Sequence, residues 1–453
     1  MRIWSRKTLA CVLTVAGLAG ATAAMAPVAR AGVFNPETFT LKNGLMVVVI
    51  PSARAPVVTQ MLWFRVGAAD EPSGKSGIAH FLEHLMFKGT PAVPPGEFSR
   101  QIARIGGRDN AFTGQDFTAY FQSVASDQLE FVMKLESDRM ANLVLSDAVV
   151  LPERDVVLEE RRQRTDNEPR SLLAEQVGAA LFMHHPYRIP IIGWKHEIEN
   201  LSTADALDFY RRYYHPGNAI LIIAGDVTVD QVRNLAEKYY GPIPSHPVAV
   251  RARVSEPPQV AARRVVMRDA RVKEPTWTRH YLVPGRRLGG HAQADALEVL
   301  AEILGGAATA RLPRQFVNEE KIALSAGSHY DADVYDYGRF ALYATPRAGT
   351  DVAAIEARID AELARLLETG VTADEVKRAT SRLATQAVFV RDSLMAGAQA
   401  IGAALTTGQT INDVETWPDR IRAVSVEQVN AAIRAVFDSR RSVTSVLLPE
   451  GSG

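Results

Sequence analysis

Cysteine is almost absent from this chain of 453 residues, since the single one, Cys11, lies among the first 31. The rest of the chain has no thiol and can form no disulfide, which is compatible with an oxidising compartment but does not require one. An excess of basic charge is absent too, because basic and acidic residues each number 51. This balance gives no indication of a nucleic-acid partner.

The first 31 residues have the pattern of an export signal. A basic start (Arg2, Arg6, Lys7) is followed by an apolar run from about Leu9 to Ala26 and by the small residues around a cleavage site after Ala31. A retained membrane anchor is the alternative, but the run is rich in small residues and barely long enough to span a bilayer. We predict an exported, periplasmic protein with no stable membrane association after cleavage.

The length of the chain predicts at least two domains. Residues 241–260 contain five prolines and no helical periodicity, which predicts an extended linker. The order strand, helix, strands, helix, helix occurs on both sides of this linker, which favours an internal duplication, although unrelated α+β domains can share such an order. We predict an α+β fold with two domains, residues 32–240 and 261–453, each a mostly antiparallel sheet packed with helices.

The stretch Gly77–Thr90, GIAHFLEHLMFKGT, carries the strongest chemical signal in the chain. One apolar stripe at helical spacing contains Ile78, Phe81, Leu82 and Leu85. A second stripe at the same spacing contains His80, Glu83, His84 and Phe87. Because His80 and His84 lie one turn apart, their imidazoles can converge on one metal ion with the Glu83 carboxylate nearby.

The alternative for such histidines is a satisfied place in the core or on a solvated edge. The joint pattern H-x-x-E-H is rare by chance, and it is the signature of the inverzincins. The stretch therefore predicts a metal site.

A zinc site of this kind needs a third protein ligand and leaves its fourth position for water. A helix predicted to begin near Pro152 carries Glu153 and Glu160 seven residues apart, on a face with Val156 and Val157. An apolar face with two carboxylates is expected when the carboxylates have a strong partner. Glu159, about 100° around this helix, is a weaker candidate.

The same helix also offers arginines as partners for these carboxylates. They are Arg154, Arg161 and Arg164. From the residues alone, ion pairs on a solvated face and ligation of a metal both remain open.

The stretch GIAHFLEHLMFKGT closely resembles the zinc helix of the pitrilysin, insulinase and mitochondrial processing peptidase family. The resemblance covers most of the chain and includes LKNGL, GGRDNAFTGQDFTAY, HPYRIPIIGW and FYRRYYHPGNAILIIAGDV. It implies two homologous domains around a clam-like chamber. It also implies a zinc-dependent endopeptidase that hydrolyses short or unfolded peptides.

The family resemblance assigns the metal ligands. In the family, a second helix with the pattern E-R-x-V-[IV]-L-x-E supplies the last ligand through its final glutamate, and Glu153 to Glu160 match this pattern. One Zn²⁺ per chain would then be held by His80, His84 and Glu160, with Glu153 orienting the site. Glu83 would be catalytic, accepting a proton from water and passing it to the leaving amine.

The resemblance also implies a place for the peptide substrate. In the family, the Asn-Ala-Phe-Thr strand is a sheet edge on which substrate lies as an added strand. Asn110, Ala111 and Phe112 would therefore bind the peptide by backbone pairing. The alternative is an ordinary strand with a polar turn.

The second half of the chain departs from the family pattern. Active members generally use an Arg and a Tyr, in a stretch like L-R-E-x-x-G-L-A-Y, to hold the substrate carbonyl and stabilise the oxyanion. The corresponding stretch Phe316–Gly327 has Asn318 and Ser325 at these positions. The positions that would correspond to the metal ligands hold Glu298 and Glu302.

Some family members pair a zinc-bearing subunit with a zinc-less one. We therefore predict a heterodimer in which a homologous zinc-less partner supplies the missing Arg and Tyr. The contrasting hypothesis is a non-catalytic scaffold or assembly subunit that has kept the peptidase fold.

Overall fold

The structure is a computed structural model, and it describes residues 32–248 and 250–451. The predicted export signal, with Cys11, lies outside the described residues. Within the described ranges, no helix combines the length and the apolar character needed to cross a membrane.

The first sheet is built from strands of the first half of the chain. Its members are β1 (Glu37–Thr40), β2 (Met46–Pro51), β3 (Val57–Phe64), β4 (Arg108–Thr113), β5 (Thr118–Ala125) and β6 (Ala219–Gly225). They lie in the order β1-β2-β6-β3-β5-β4, and β2 with β6 is the one parallel pair described in this sheet. β6, with the sequence AILIIAG, is buried at every residue, as expected for a central strand covered on both faces.

The second sheet repeats this topology. Its members are β7 (Arg263–Asp269), β8 (Thr276–Pro284), β9 (Ala323–Tyr330), β10 (Tyr337–Pro346) and β11 (Ser442–Pro449). They lie in the order β7-β11-β8-β10-β9, with β7 and β11 parallel. In the first sheet the last strand, β6, lies between β2 and β3, and in the second sheet the last strand, β11, lies between β7 and β8. This repeat confirms the predicted α+β fold with two homologous sheets.

Sixteen helices accompany the two sheets in the described residues. In the first half they are α1 (Ile78–Leu85), α2 (Glu97–Arg104), α3 (Leu129–Asn142), α4 (Asp147–Arg161), α5 (Pro169–Leu181), α6 (Lys195–Ile198), α7 (Thr203–Tyr213) and α8 (Val229–Tyr239). In the second half they are α9 (Arg286–Gly289), α10 (His291–Gly305), α11 (Val352–Thr369), α12 (Ala373–Val390), α13 (Leu394–Thr406), α14 (Ile411–Glu415), α15 (Trp417–Arg422) and α16 (Val426–Val436).

The start of α4 differs from the prediction. The helix begins at Asp147, after Ser146, and contains Pro152 in its interior rather than at its first position. Pro152 is the sixth residue of the helix, so it lacks the N–H that would donate to the carbonyl of Ala148, and the helix continues past it. α4 therefore gains more than one turn before the residues of the predicted site.

Each half of the chain supplies one helix to the sheet of the other half. α13 packs on β3 and β6 of the first sheet, where Ile401 lies in a buried cluster with Trp63. α5 packs on β7, β8 and β11 of the second sheet, where Val177 lies in a cluster with Leu447. The predicted domain boundaries stay a prediction, and this exchange means that neither predicted segment buries its sheet alone.

The predicted linker forms neither helix nor strand over residues 244–248 and 250–260, but it is firmly held. Arg253 donates to Asp70 at 2.6 Å and to Asp116 at 3.0 Å. The Glu256 carboxylate accepts the backbone N–H groups of residues 183, 184 and 185 at 2.6–3.0 Å. Because these contacts are charge-assisted and partly buried, they fix the linker against the first half.

Candidate metal centre

The helix predicted from the two stripes is α1. Its apolar stripe is buried, with Phe81, Leu82 and Leu85 at 0% exposure. Gly77 precedes it with a φ of +87°. A Cβ at Gly77 would lie 2.5 Å from the backbone oxygen of Ile192, so this close approach requires glycine. α1 is thus fixed from its start, and its second stripe faces a neighbouring helix.

Among the described residues, His80, His84 and Glu160 form the one group that could hold a metal ion. Glu160 Oε2 lies 3.1 Å from His84 Nε2 and 3.7 Å from His80 Nε2, and the three candidate ligand atoms lie within 4.8 Å of one another. Ligands at zinc bond lengths on a tetrahedron are about 3.3 Å apart. The two distances from Glu160 to the imidazoles are close to this value, and two nitrogen donors with one carboxylate are a donor set that suits zinc.

Glu160 makes the ion pair that the sequence left open and also lies beside the two imidazoles. Its Oε1 atom pairs with Arg164 at 2.5 Å, while its Oε2 atom faces the two imidazoles. The face of α4 is less uniform than predicted, since Val157 is buried but Val156 is 49% exposed. Arg164, in a π-helical turn at Arg162–Asp166, thereby holds one oxygen while the other points to the imidazoles.

Glu153 contacts the imidazole of His84 on the side away from Glu160. Its Oε1 atom is 3.0 Å from His84 Nδ1, and its Oε2 atom contacts Lys88 Nζ. Burial alone would raise the pKa of Glu153, but the hydrogen bonds with His84 and Lys88 hold it below its usual value. An ionised Glu153 on Nδ1 turns Nε2 of His84 toward Glu160.

The two imidazoles differ in their electrostatics. Burial, together with the neighbouring His84, lowers the pKa of His80 to about 4, so this ring is neutral near pH 7. Burial also acts to lower the pKa of His84, but hydrogen bonds with Glu153 and Glu160 raise it to about 9.

Glu83 makes no ligand contact with this group and instead joins it to the first sheet. Its Oε2 atom accepts a hydrogen bond of 2.6 Å from Thr113 Oγ1 at the end of β4. Burial raises the pKa of Glu83, and the Thr113 contact opposes this rise. A raised carboxyl pKa favours acceptance of a proton near neutral pH. Thr113 was not predicted, although it directly follows the predicted peptide-binding residues.

The predicted peptide-binding residues lie on an edge strand. β4 pairs only with β5 among the described strands, so one side of its backbone has no strand partner. Ala111 packs with the cluster that contains the apolar stripe of α1. Phe112 faces the other side of the sheet, where its ring lies 5.3 Å from that of Trp63. The backbone of Asn110, Ala111 and Phe112 is thus positioned for an added strand, while their side chains alternate between faces.

Comparison with known proteins decides the family. Residues 46–195 match the profile described as Insulinase (Peptidase family M16), and residues 200–383 match the Peptidase M16 inactive domain. The zinc protease PqqE of Helicobacter pylori is 33% identical over 345 residues, which cover 76% of this chain and 77% of PqqE. This chain belongs to peptidase family M16. The resemblance drawn from the sequence is therefore confirmed.

Solved structures extend the M16 likeness over nearly the whole chain. A crystal structure of a protease from Helicobacter pylori has a TM-score of 0.85 at 30% identity, covering 91% of this chain and 99% of that one. The periplasmic protease PqqL of Escherichia coli shares the fold, with a TM-score of 0.78 at 20% identity. That match covers 91% of this M16 chain but 47% of PqqL, so PqqL contains about as much chain again outside the match.

The second half of this M16 chain holds ion pairs where the first half holds the candidate centre. On α10, Glu298 pairs with Arg286 at 2.6 Å, and Glu302 pairs with Arg382 at 3.1 Å. Asn318 donates to the backbone oxygen of residue 308, and Ser325 lies exposed on β9. On this helix, arginine side chains therefore provide the positive charge that pairs with the two glutamates.

Glu71, which the sequence analysis missed, holds the start of α1. Its two carboxylate oxygens accept the backbone N–H groups of Gly77 and Ala79, each at 2.9 Å. Burial raises the pKa of Glu71 well above its usual value, although these two N–H groups oppose the rise. An acidic residue near a helix N-terminus is a general signal, but only the fold identifies its target.

We expect Glu71→Gln to destabilise the protein by about 1–3 kcal/mol, because the new amide N–H₂ would face a backbone N–H donor. Zinc affinity should fall as well, since Ala79 directly precedes His80. Thermal unfolding and a zinc titration measure the two effects. Glu159→Gln, on an exposed glutamate of α4, is the control. Equal behaviour of the two variants would show that Glu71 does not position the helix.

Proposed function

We propose that this protein is the metal-bearing subunit of a zinc-dependent endopeptidase acting on short or unfolded peptides. One observation carries the proposal. His80, His84 and Glu160 bring three ligand atoms within 4.8 Å of one another, and Glu83 lies on the same helix face with its carboxylate free of that group. Metal-assisted hydrolysis requires a set of metal ligands and, beside it, a carboxylate that does not bind the metal.

A zinc ion held by His80, His84 and Glu160 would polarise a peptide carbonyl and lower the pKa of water. The chain's own residues perform the remaining tasks. The edge of β4 pairs with the substrate backbone and holds it extended. Glu83 accepts a proton from the attacking water and returns it to the amine nitrogen as the peptide bond breaks.

The peptidase also needs a group that stabilises the oxyanion, and we infer that a partner supplies it. At the positions where the family generally has Arg and Tyr, this chain has Asn318 and Ser325. PqqL, about half of which matches this chain, has room for a second unit in one polypeptide. We propose that a homologous zinc-less chain takes that place here and contributes Arg and Tyr to the site.

A scaffold subunit is the competing function. In its favour, arginines pair with Glu298 and Glu302 of α10, at the positions that the sequence aligns with the metal ligands. The intact residues of α1 and α4 favour the peptidase, because a scaffold gains nothing from two half-buried imidazoles facing a carboxylate. We also propose export to the periplasm, from the sequence of residues 1–31 and the periplasmic PqqL of the same fold.

The test is to purify the mature chain alone and together with a homologous chain lacking H-x-x-E-H. We expect one zinc per chain in both preparations and hydrolysis of a quenched fluorescent peptide only in the second. Size-exclusion chromatography should show a complex of the two chains. Hydrolysis at full rate by the single chain would refute the proposal that a partner chain completes the site. Zinc with no hydrolysis by the complex would favour the scaffold.

A further inference from the structure

A cavity lies between α5 and the face of the second sheet that α5 covers. Its volume is about 280 Å³. Its polar lining includes the side chains of Arg170, Thr278, His280, Arg339, Tyr343 and Ser445. Leu173, Val177 and Leu447 form an apolar wall. Its size is close to the lower end of the about 300–1,000 Å³ usual for ligand pockets, so it suits a short chain end or one side chain.

The charged side chains that line this cavity are all basic. Among the described residues, no aspartate or glutamate lines it, whereas two arginines do. Arg170 has no ion pair within the part of the chain that the structure describes, and Arg339 approaches Asp331 only at 3.4 Å with 44% of its side chain exposed. Both guanidinium groups thus keep donors available for an anion.

His280 lies on the floor of the cavity, in β8. Its Nδ1 atom is buried and has no hydrogen-bond partner among the described residues. Burial lowers the pKa of His280 to about 4, so near pH 7 the ring is neutral and offers one N–H donor. A buried polar atom without a partner is unfavourable, and a turn of the ring toward a polar ligand in the cavity would remove that cost.

Hydroxyl groups complete the polar lining. The hydroxyls of Thr278 and Ser445 contact each other across the sheet, and a hydroxyl in such a pair keeps further hydrogen-bonding capacity for a ligand. Tyr343 is 40% exposed and crosses Gly327, where a Cβ would come within 2.4 Å of its hydroxyl oxygen. The tyrosine ring thus lies over Gly327, and Tyr343 also lines the cavity.

We propose that this cavity binds a carboxylate of the peptide substrate, with Arg170 and Arg339 as the charged partners and His280 as a neutral donor. The inference rests on the proposed peptidase function and adds a substrate class, peptides with a C-terminal or side-chain carboxylate. The apolar wall then packs against the residue that carries the carboxylate. The two sources of carboxylate share this chemistry, and binding measurements separate them.

The test uses the full mature chain with Glu83→Gln and zinc, so that bound peptide is not cut. The probe is an N-terminally fluorescein-labelled decapeptide of alanine and serine in three forms: free C-terminus, C-terminal amide, and C-terminal amide with glutamate at the ninth position. Fluorescence anisotropy gives each Kd. We expect the free acid, the glutamate form, or both to bind about tenfold more tightly than the plain amide.

Variants of the cavity locate the effect. Arg339→Gln and the double variant Arg170→Gln/Arg339→Gln should remove the preference for carboxylate, while binding of the plain amide stays unchanged. Arg211→Gln is the matched control, since Arg211 is also exposed and has a weak ion pair, at 3.6 Å with Asp208. His280→Leu should weaken carboxylate binding, and its thermal unfolding shows whether the sheet is intact.

Equal Kd values for the three peptides, or a carboxylate preference that survives the double variant, would overturn the proposal. Those outcomes would not contradict hydrolysis by the wild-type complex, which is measured separately. Conversely, a carboxylate preference in a protein that never hydrolyses peptide would contradict the proposed function and leave the binding site standing. The two failures are therefore distinguishable.

Discussion

Glu83→Gln is expected to lower the rate of peptide hydrolysis by about 10²–10⁴-fold while the zinc content stays at one per chain. Glutamine keeps the size of the side chain, and its amide oxygen still accepts the 2.6 Å hydrogen bond from Thr113. It cannot take up the proton that water must lose. The fold and the ligands His80, His84 and Glu160 are left in place, so the loss should fall on kcat rather than on peptide binding.

The measurement pairs metal analysis with steady-state kinetics of the complex. Glu159→Gln is the control, because Glu159 lies on α4 but faces solvent and pairs with Arg162 at 2.7 Å. Retained hydrolysis in Glu83→Gln would mean that another group moves the proton. Loss of zinc in the same variant would instead make Glu83 a metal ligand, contrary to the separation of its carboxylate from the imidazoles.

Much of the candidate centre could be predicted because it is encoded by helical spacing. A period of about 3.6 residues fixes which side chains share a face, so His80, Glu83 and His84 could be placed together before any fold was known. The same rule placed Glu153 and Glu160 on one side of α4. The helical spacing did not predict the exposure of Val156, which depends on how α4 tilts against its neighbours.

Contacts made by one side chain from a distant segment could not be predicted. Thr113 lies in a strand and Glu71 in a loop, where no periodicity links them to the centre. The exchange of α5 and α13 between the sheets was missed for a related reason. An apolar stripe shows that a helix is covered, but it does not say which sheet covers it. The duplicated order of strands could be found from the sequence, because the strands and helices of each half can be recognised from that half alone.

The order of zinc affinities among variants gives the strongest test of the centre itself. We expect His80→Ala to lower zinc affinity by more than about 100-fold, and Glu153→Gln to lower it by about 10–100-fold, the usual effect of removing a partner of a ligand. His80 offers Nε2 to the shared site, 3.7 Å from Glu160 Oε2, whereas Glu153 reaches the centre through the far nitrogen of His84. Hydrolysis should be lost in the first variant and reduced in the second.

His80→Gln, which fills the same space better than alanine, separates loss of a ligand from damage to α1. If both His80 variants bind zinc poorly and unfold near the wild-type temperature, the imidazole itself is the ligand. Competition with a chelator of known affinity measures the constants. Should Glu153→Gln lose more zinc affinity than His80→Ala, Glu153 would be the closer group. The third ligand would then come from Glu153, and Glu160 would serve only the ion pair with Arg164.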